Sequence, residues 1–553
     1  MYRNLFVLTL LLTLGISEGL IKPAKLSACT ESELESAERT APLFKNLGNY
    51  HYPISTKNSL AQRYFDQGLI LAYGFNHAEA ARSFSEAAKL DPNCAMCYWG
   101  IALVLGPNIN APMNAEALPD ARQALQKALA LSQNATEKER AYIQALAKRY
   151  PSEPVEDRAP LDIAYANAMR EVTQRYRDDL DAATLFAEAL MDTTPWDYWE
   201  DNGEPKPEGK EIIATLENVL ERNPNHPGAN HLYIHAVEKE RPELGIASAD
   251  RLRNLVPDSG HLVHMPSHIY LRVGRYEDAS LANERAIAAD ESYIAQTQEQ
   301  GFYPALYYSH NIHFLAYSAA MEGRSQTALN AARKIASHIQ PEQASQSAEL
   351  QWVSSTPLFM MARFGQWDEI LKQPQPLADL PYMTGIWHYA RGLAFATKGQ
   401  LDEAVKESKS LQQIAQKGGL KSLEVVSGEK QIAIADKVLQ AEIAGLRGDE
   451  NEKIRLLETA VQVQDELPYM EPPYWYFPVR QFLGAALLEA NRPVEAEAVY
   501  RQDLEQHPNN GWSLFGLAQS LKAQGKTEEA KAVQSQFEAV WKNADVSLKA
   551  SRF

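Results

Sequence analysis

Apolar residues recur along most of the chain at three- and four-residue steps, the period of an amphipathic helix, and a turn residue, usually Gly, interrupts them at intervals. The pattern is plainest in "NRPVEAEAVYRQDLEQHP" from Asn491 and "GKTEEAKAVQSQFEAV" from Gly525, which lie 34 residues apart in matched register. The same cadence recurs from Phe75, Gly274, Gly323, Gly365, Gly399 and Gly448. Each copy places a small apolar residue shortly after the turn and then resumes helical periodicity. β-branched runs with strict alternation are scarce, so no strands are expected. The prediction is an all-α chain of helical hairpins. A single hairpin cannot bury its apolar stripe, so neighbours must stack.

A 34-residue helix–turn–helix period of this kind resembles the tetratricopeptide repeat (TPR). The resemblance implies an α-solenoid with irregular loop insertions and a concave groove that takes ligands. Residues 20–55 are expected to cap the array, 56–345 to form an N-terminal TPR-like array, 346–545 a C-terminal one, and 546–553 a tail. "QRYFDQGLILAYGFNHAEAARSF", "CAMCYWGIALVLGPNINAPM", "NHLYIHAVE" and "GHLVHMPSHIYLRVGRY" together resemble a group of exported bacterial TPR proteins. That resemblance bears on fold and export and leaves activity open.

Three stretches break the cadence: "GPNINAPMNAEALPDA" from Gly106, "MDTTPWDYWEDNGEPKPEGKE" from Met191 and "DELPYMEPPYWYFPVR" from Asp465. Structured loops of this length often carry function. Trp99, Asn108, Asn110, Trp196, Trp199, Tyr474 and Trp475 are therefore candidates for gripping a ligand. The plainer reading is that the aromatics cover joints between degenerate repeats.

With 553 residues, 45% of them hydrophobic, the chain is long enough for several cores or an array. Net charge is -17, from 71 acidic and 54 basic side chains. That balance argues against nucleic acid or an anionic membrane as partner, since both need a basic footprint. "MYRNLFVLTLLLTLGISEG" has a charged start, a short apolar run and a small-residue exit, the outline of a signal peptide over residues 1–19. The run is too short to span a bilayer. The expected location is periplasmic or extracellular. Lipid anchoring at Cys29 is disfavoured, because Lys22 and Lys25 separate its box from the apolar run.

Eight of the 13 histidines fall between His226 and His313. His231 and His235 lie one turn apart with Glu238 on the same helical face, and His261, His264 and His268 share another. With Ala279 and Ala328 as the small residues opening the second helices, His261, His264 and His268 and then His310 and His313 take the places that face the groove in TPR-like proteins. Seven imidazoles from three neighbouring repeats are thus expected to meet in one concave pocket. First helices of adjacent repeats lie roughly 10 Å apart. A His–x3–His pair chelates well, and imidazole suits zinc, copper or iron. Glu238 is the candidate further ligand or general base. Satisfied core histidines, or groove histidines binding a carboxylate or phosphate, would show the same spacing. His388 reads as structural, His338 and His507 as solvent-facing, His77 as a turn residue and His51 as part of the cap.

Cys94 and Cys97 form a CxxC at a helix start, which suits redox exchange, simple oxidation in an exported protein, or packing. No nucleotide loop, Gly-x-Ser-x-Gly elbow or His-Glu-x-x-His is present. Two functions follow. The first is a TPR protein with a multi-histidine transition-metal site, with or without metal-dependent catalysis. The second is a scaffold that binds a peptide, protein or small molecule in its groove.

Overall fold

The structure, a computed structural model, describes residues 41–345, 347–417, 420 and 426–553. The signal-like segment and Cys29 lie outside the described residues. Among the described residues there are helices and turns, and the only β-type pairings are two isolated bridges, Asn108 with Ala111 and Trp199 with Pro205. No helix among them is long and apolar enough to cross a membrane.

The glycine cadence has a backbone cause. Gly274, Gly323, Gly365, Gly399, Gly448 and Gly525 all sit at φ between 64° and 78°, the left-handed region in which a side chain is strained. At Gly399 the turn closes when Gln400 N–H donates to Phe395 O at 2.9 Å, just past the helix Pro381–Thr397. Asn491 fills the same place with φ 56°. The small residue that follows each turn is a packing requirement: Ala279, Ala328, Ala404 and Ala496 are fully buried.

The helices form two compact units. The first comprises the described residues up to Pro266 together with Arg285–Leu306, and the second comprises Ser267–Glu284 and Tyr307–Phe553. This division runs through the helix Tyr276–Thr297. In the first unit, Phe65, Phe84, Trp99 and Tyr142 make a ring-on-ring core with centroids 5.3–6.5 Å apart. In its N-terminal segment Tyr50 donates to Asp181 at 2.7 Å, Tyr52 to Asp179 at 3.0 Å and Ser55 N–H to Glu139 at 2.6 Å, so the segment ties the helices Glu137–Leu146 and Leu180–Met191 together.

In the second unit, Tyr500 is wedged where Gly484 and Gly516 leave room; a Cβ there would lie 2.4 and 2.1 Å from its ring. Residues 546–553, expected as a tail, are docked: Ser551 bonds the Tyr500 hydroxyl at 2.7 Å, and the Phe553 ring lies 5.8 Å from that of Trp512.

Of the loop candidates, Trp99, Trp199, Tyr474 and Trp475 are buried. Trp99 is core, and the Trp199 indole donates to Ala236 O at 2.8 Å. Trp196 is half-buried and donates to Ile109 O at 3.0 Å. Asn108 folds its own loop, its side chain accepting from Asn110 N–H at 2.9 Å and Ala111 N–H at 3.1 Å. Aromatic rings in these irregular stretches cover the helix joints, because burying them stabilises more than exposing them would.

Candidate metal centre

Within the first unit, the helix Pro227–Val237 carries His231 and His235 one turn apart, and the short helix Gly260–His264 carries His261. One ligand-type nitrogen from each of these three residues lies within 4.8 Å of the others. All three are buried, so this is an enclosed site and not an open groove face. The Phe75 ring roofs it, with centroids 4.6 Å from His231, 5.5 Å from His261 and 6.1 Å from His235. Trp196 meets His235 edge-on at 5.0 Å.

Backbone and glycine chemistry position the trio. Tyr73 ends the helix Ser59–Tyr73, so its carbonyl belongs to the last turn, which has no partner within the helix. His231 Nδ1 sits 2.6 Å from that carbonyl oxygen. A carbonyl oxygen can only accept, so Nδ1 carries a proton, and a neutral His231 ring then holds its lone pair on Nε2. That Nε2 lies 3.2 Å from His261 Nε2. Gly228 lets the two helices approach closely, since a Cβ there would stand 2.5 Å from the Tyr73 ring. Gly260 does the same for Asp290, whose Oδ1 would lie 1.9 Å from an added Cβ. Asp290 in turn accepts from Tyr303 Oη at 3.0 Å, and that hydroxyl accepts from His261 N–H at 3.1 Å. Glu238, also buried, places Oε2 3.5 Å from His235 Nδ1. His264 stacks beside His261, centroids 5.9 Å apart.

The remaining predicted ligands belong to the second unit. His268 Nδ1 meets Glu471 Oε2 at 2.6 Å, and the His310 ring stacks on His268 at 5.6 Å. His313 is committed elsewhere: its Nε2 lies 2.6 Å from Tyr476 Oη and its ring packs on Trp352 at 4.9 Å. Burial pushes its pKa down to about 3, which keeps the ring neutral. His388 pairs with Glu407 at 2.5 Å, as a structural residue should. His507 bonds Asp503 at 3.2 Å, and His338 stacks on Tyr308 at 5.5 Å.

Cys94 and Cys97 are joined in a disulfide, and both are buried; Cys94 also caps the helix Ala95–Val104.

Sequence reasoning missed the roof and the tether, Phe75 and Tyr73. It also missed a buried charge cluster in which Arg149 pairs with Asp192 beside Glu188. Burial raises the Glu188 and Asp192 carboxyls well above their ordinary range. Burial likewise lowers His77 to about 4; it lines a small cavity with Tyr73, Arg149 and Glu188, a role beyond turn chemistry.

Residues 487–536 match the tetratricopeptide repeat family. They span the turn at Asn491, the helices Pro493–Gln506 and Gly511–Ala523, and the turn at Gly525. No curated protein matches the sequence. Among solved structures, the chain is similar to yeast Tom70, at 12% identity over 86% of this chain and 89% of that one, TM-score 0.25. It is also similar to the TPR domain of P58(IPK), at 13% over 85% and 99%, TM-score 0.23. A human IFIT1 dimer with m7Gppp-AAAA aligns at 12% over 88% and 91%, TM-score 0.26. At these scores the likenesses carry no argument about function. Among the described residues the chain is all-α, with residues 487–536 matching the tetratricopeptide repeat, and its candidate chemistry is a buried three-histidine cluster.

Proposed function

We propose that this TPR-type protein binds one transition-metal ion through His231, His235 and His261. The observation that carries the reading is the 3.2 Å separation of His231 Nε2 and His261 Nε2, with His231 Nδ1 tethered to a backbone carbonyl. Two imidazole nitrogens on a tetrahedral zinc at 2.0–2.1 Å stand ~3.3 Å apart, so the spacing fits a shared ion. The carbonyl tether is the outer contact that metal-binding histidines commonly use to fix the ring. Three protein nitrogens leave a fourth position, which suits a site that acts on a bound molecule more than one that only braces the fold. A metal held there would supply Lewis acidity or an activated water. Glu238 is placed beside His235 to accept a proton. The N-terminal pattern and the Cys94–Cys97 disulfide support action in an oxidising compartment outside the cytoplasm.

The test is elemental analysis of protein purified without chelator, followed by cobalt(II) titration of the stripped protein. The expected result is one metal per chain, with visible absorption of tetrahedral or five-coordinate cobalt. A fully folded protein that neither retains nor takes up metal would overturn the reading and favour the partner-binding scaffold.

A further inference from the structure

His231, His235 and His261 are closed off from solvent. Each is at most 4% exposed, and both ring nitrogens of His235 are sealed. An ion reaches them in the folded chain only when a neighbouring group moves. Phe75 and His264, which pack on the trio, are themselves buried. Trp196 is different: it meets His235 edge-on at 5.0 Å yet is half-buried, so it extends from the imidazole to the surface.

Trp196 sits in the second stretch that breaks the repeat cadence, between the helices Leu180–Met191 and Pro207–Arg222. The later half of that loop is pinned. Tyr198 and Trp199 are buried, the Tyr198 carbonyl accepts from Lys206 N–H at 2.9 Å, and the Trp199 indole donates to Ala236 O at 2.8 Å. Residues 193–197 are held more lightly: none is buried, and Pro195 and Asp197 are exposed. Asp197 pairs with Lys206 at 2.5 Å, but on the surface, where an ion pair contributes little. The inner tie is the Trp196 indole, donating at 3.0 Å to the carbonyl of buried Ile109, in the first cadence-breaking stretch. Trp196 also has φ 62°, the left-handed region that a bulky residue occupies only under strain. Ring packing and one neutral hydrogen bond hold the closed position against that strain.

We propose, on the metal-binding reading above, that Trp196 is the gate of the histidine site. Residues 193–197 swing about the Tyr198–Trp199 anchor, the indole leaves Ile109 O, and the gap uncovers His235 for an ion to enter or leave. The two irregular stretches thereby acquire a shared role: one carries the gate and the other supplies its latch.

The test is stopped-flow mixing of the metal-stripped full chain with cobalt(II), then release of bound cobalt into excess chelator. Trp196→Phe and Trp196→Ala are compared with the unaltered protein. A gate alters the barrier and not the loaded site, so uptake and release should quicken together and Kd should stay nearly unchanged. Trp196→Phe keeps a ring and deletes the indole N–H, so both rates should rise about two- to tenfold, the worth of one neutral hydrogen bond. Trp196→Ala should raise both further. Rates unchanged in the variants would overturn the gate. Faster release without faster uptake would also overturn it, because Trp196 would then be a support for His235 in the loaded site. If Trp196→Ala fails to fold, Trp196→Phe decides. An unaltered protein that takes up no cobalt overturns the metal reading and the gate with it, whereas uptake at rates indifferent to Trp196 removes the gate alone.

Discussion

At hydrogen-bond distance His231 and His261 of the first unit meet each other, whereas His268, His313 and His388 of the second meet other groups. His231 Nε2 meets His261 Nε2 at 3.2 Å; His268, His313 and His388 instead meet Glu471, Tyr476 and Glu407 at 2.5–2.6 Å. On the sequence the two sets are alike, since helical spacing puts imidazoles on one face in both. Spacing therefore fixes which side chains can meet, and the partner across the gap decides what they do. A carboxylate or hydroxyl satisfies an imidazole within the fold. A second imidazole cannot accept unless one ring keeps its lone pair toward the other, and a metal ion satisfies both lone pairs at once.

The sharpest way to break this comparison is to remove one nitrogen from each set. His231→Ala and His261→Ala are each expected to abolish stoichiometric metal uptake with helical circular dichroism nearly unchanged. His313→Ala should leave metal content at the wild-type level. Metal retained in both first-unit variants, or lost in His313→Ala, would erase the distinction.

The next effect is on acid stability. His313 has a folded pKa pushed down to about 3, below the ordinary 6.5, because burial disfavours its charged form. Between those values the unfolded chain binds more protons than the folded one, so stability falls as pH drops from 6.5 toward 3. At 1.36 kcal/mol per pH unit the loss is at most about 5 kcal/mol. Glu322 acts in the opposite sense: burial raises it to about 7, so between 4.5 and 7 the folded chain binds more protons and stability falls as pH rises. The His313 contribution is thus cleanest below pH 4.5. Urea unfolding of His313→Phe at pH 3.5 and pH 7 should show a smaller difference between the two pH values than wild type does. An unchanged difference would mean that the imidazole is not held neutral by burial.

A more moderate effect is expected at Gly228. An added Cβ would meet the Tyr73 ring at 2.5 Å, which must push the His231 helix away from the carbonyl that tethers it. Gly228→Ala is predicted to cost about 1–3 kcal/mol through overpacking. It should also weaken metal affinity about 10–100-fold, as losses of outer contacts do. Competition with a chromogenic chelator measures the affinity. Stability loss with unchanged affinity would show that the Tyr73 tether does not tune the site.

What the chain disclosed in advance was what is local. The glycine turns, the buried alanines and the one-turn spacing of His231 and His235 each depend on residues a few positions apart. The tether was hidden because a backbone carbonyl has no side-chain signature, and Tyr73 lies far from His231 in sequence. Phe75 was hidden because its left-handed φ of 54° aims the ring in a way that residue type does not reveal. The aromatic loops misled for a related reason: tryptophan and tyrosine serve both ligand gripping and joint covering, and only packing separates the two.

The smallest predicted effect isolates the turn chemistry from every contact. Gly399 has φ 72°, and a Cβ there would meet nothing within 4 Å. Gly399→Ala therefore adds no clash, and its cost is the left-handed conformation alone, about 1 kcal/mol. Gly323→Ala shares the conformation, at φ 73°, but its Cβ would also lie 2.4 Å from the Trp541 ring. Chemical denaturation of the two variants should therefore show the larger loss at Gly323, with the difference reporting the packing cost. Equal losses would mean that the Trp541 side chain moves aside freely, so that the repeat glycines are kept for backbone geometry and not for close approach.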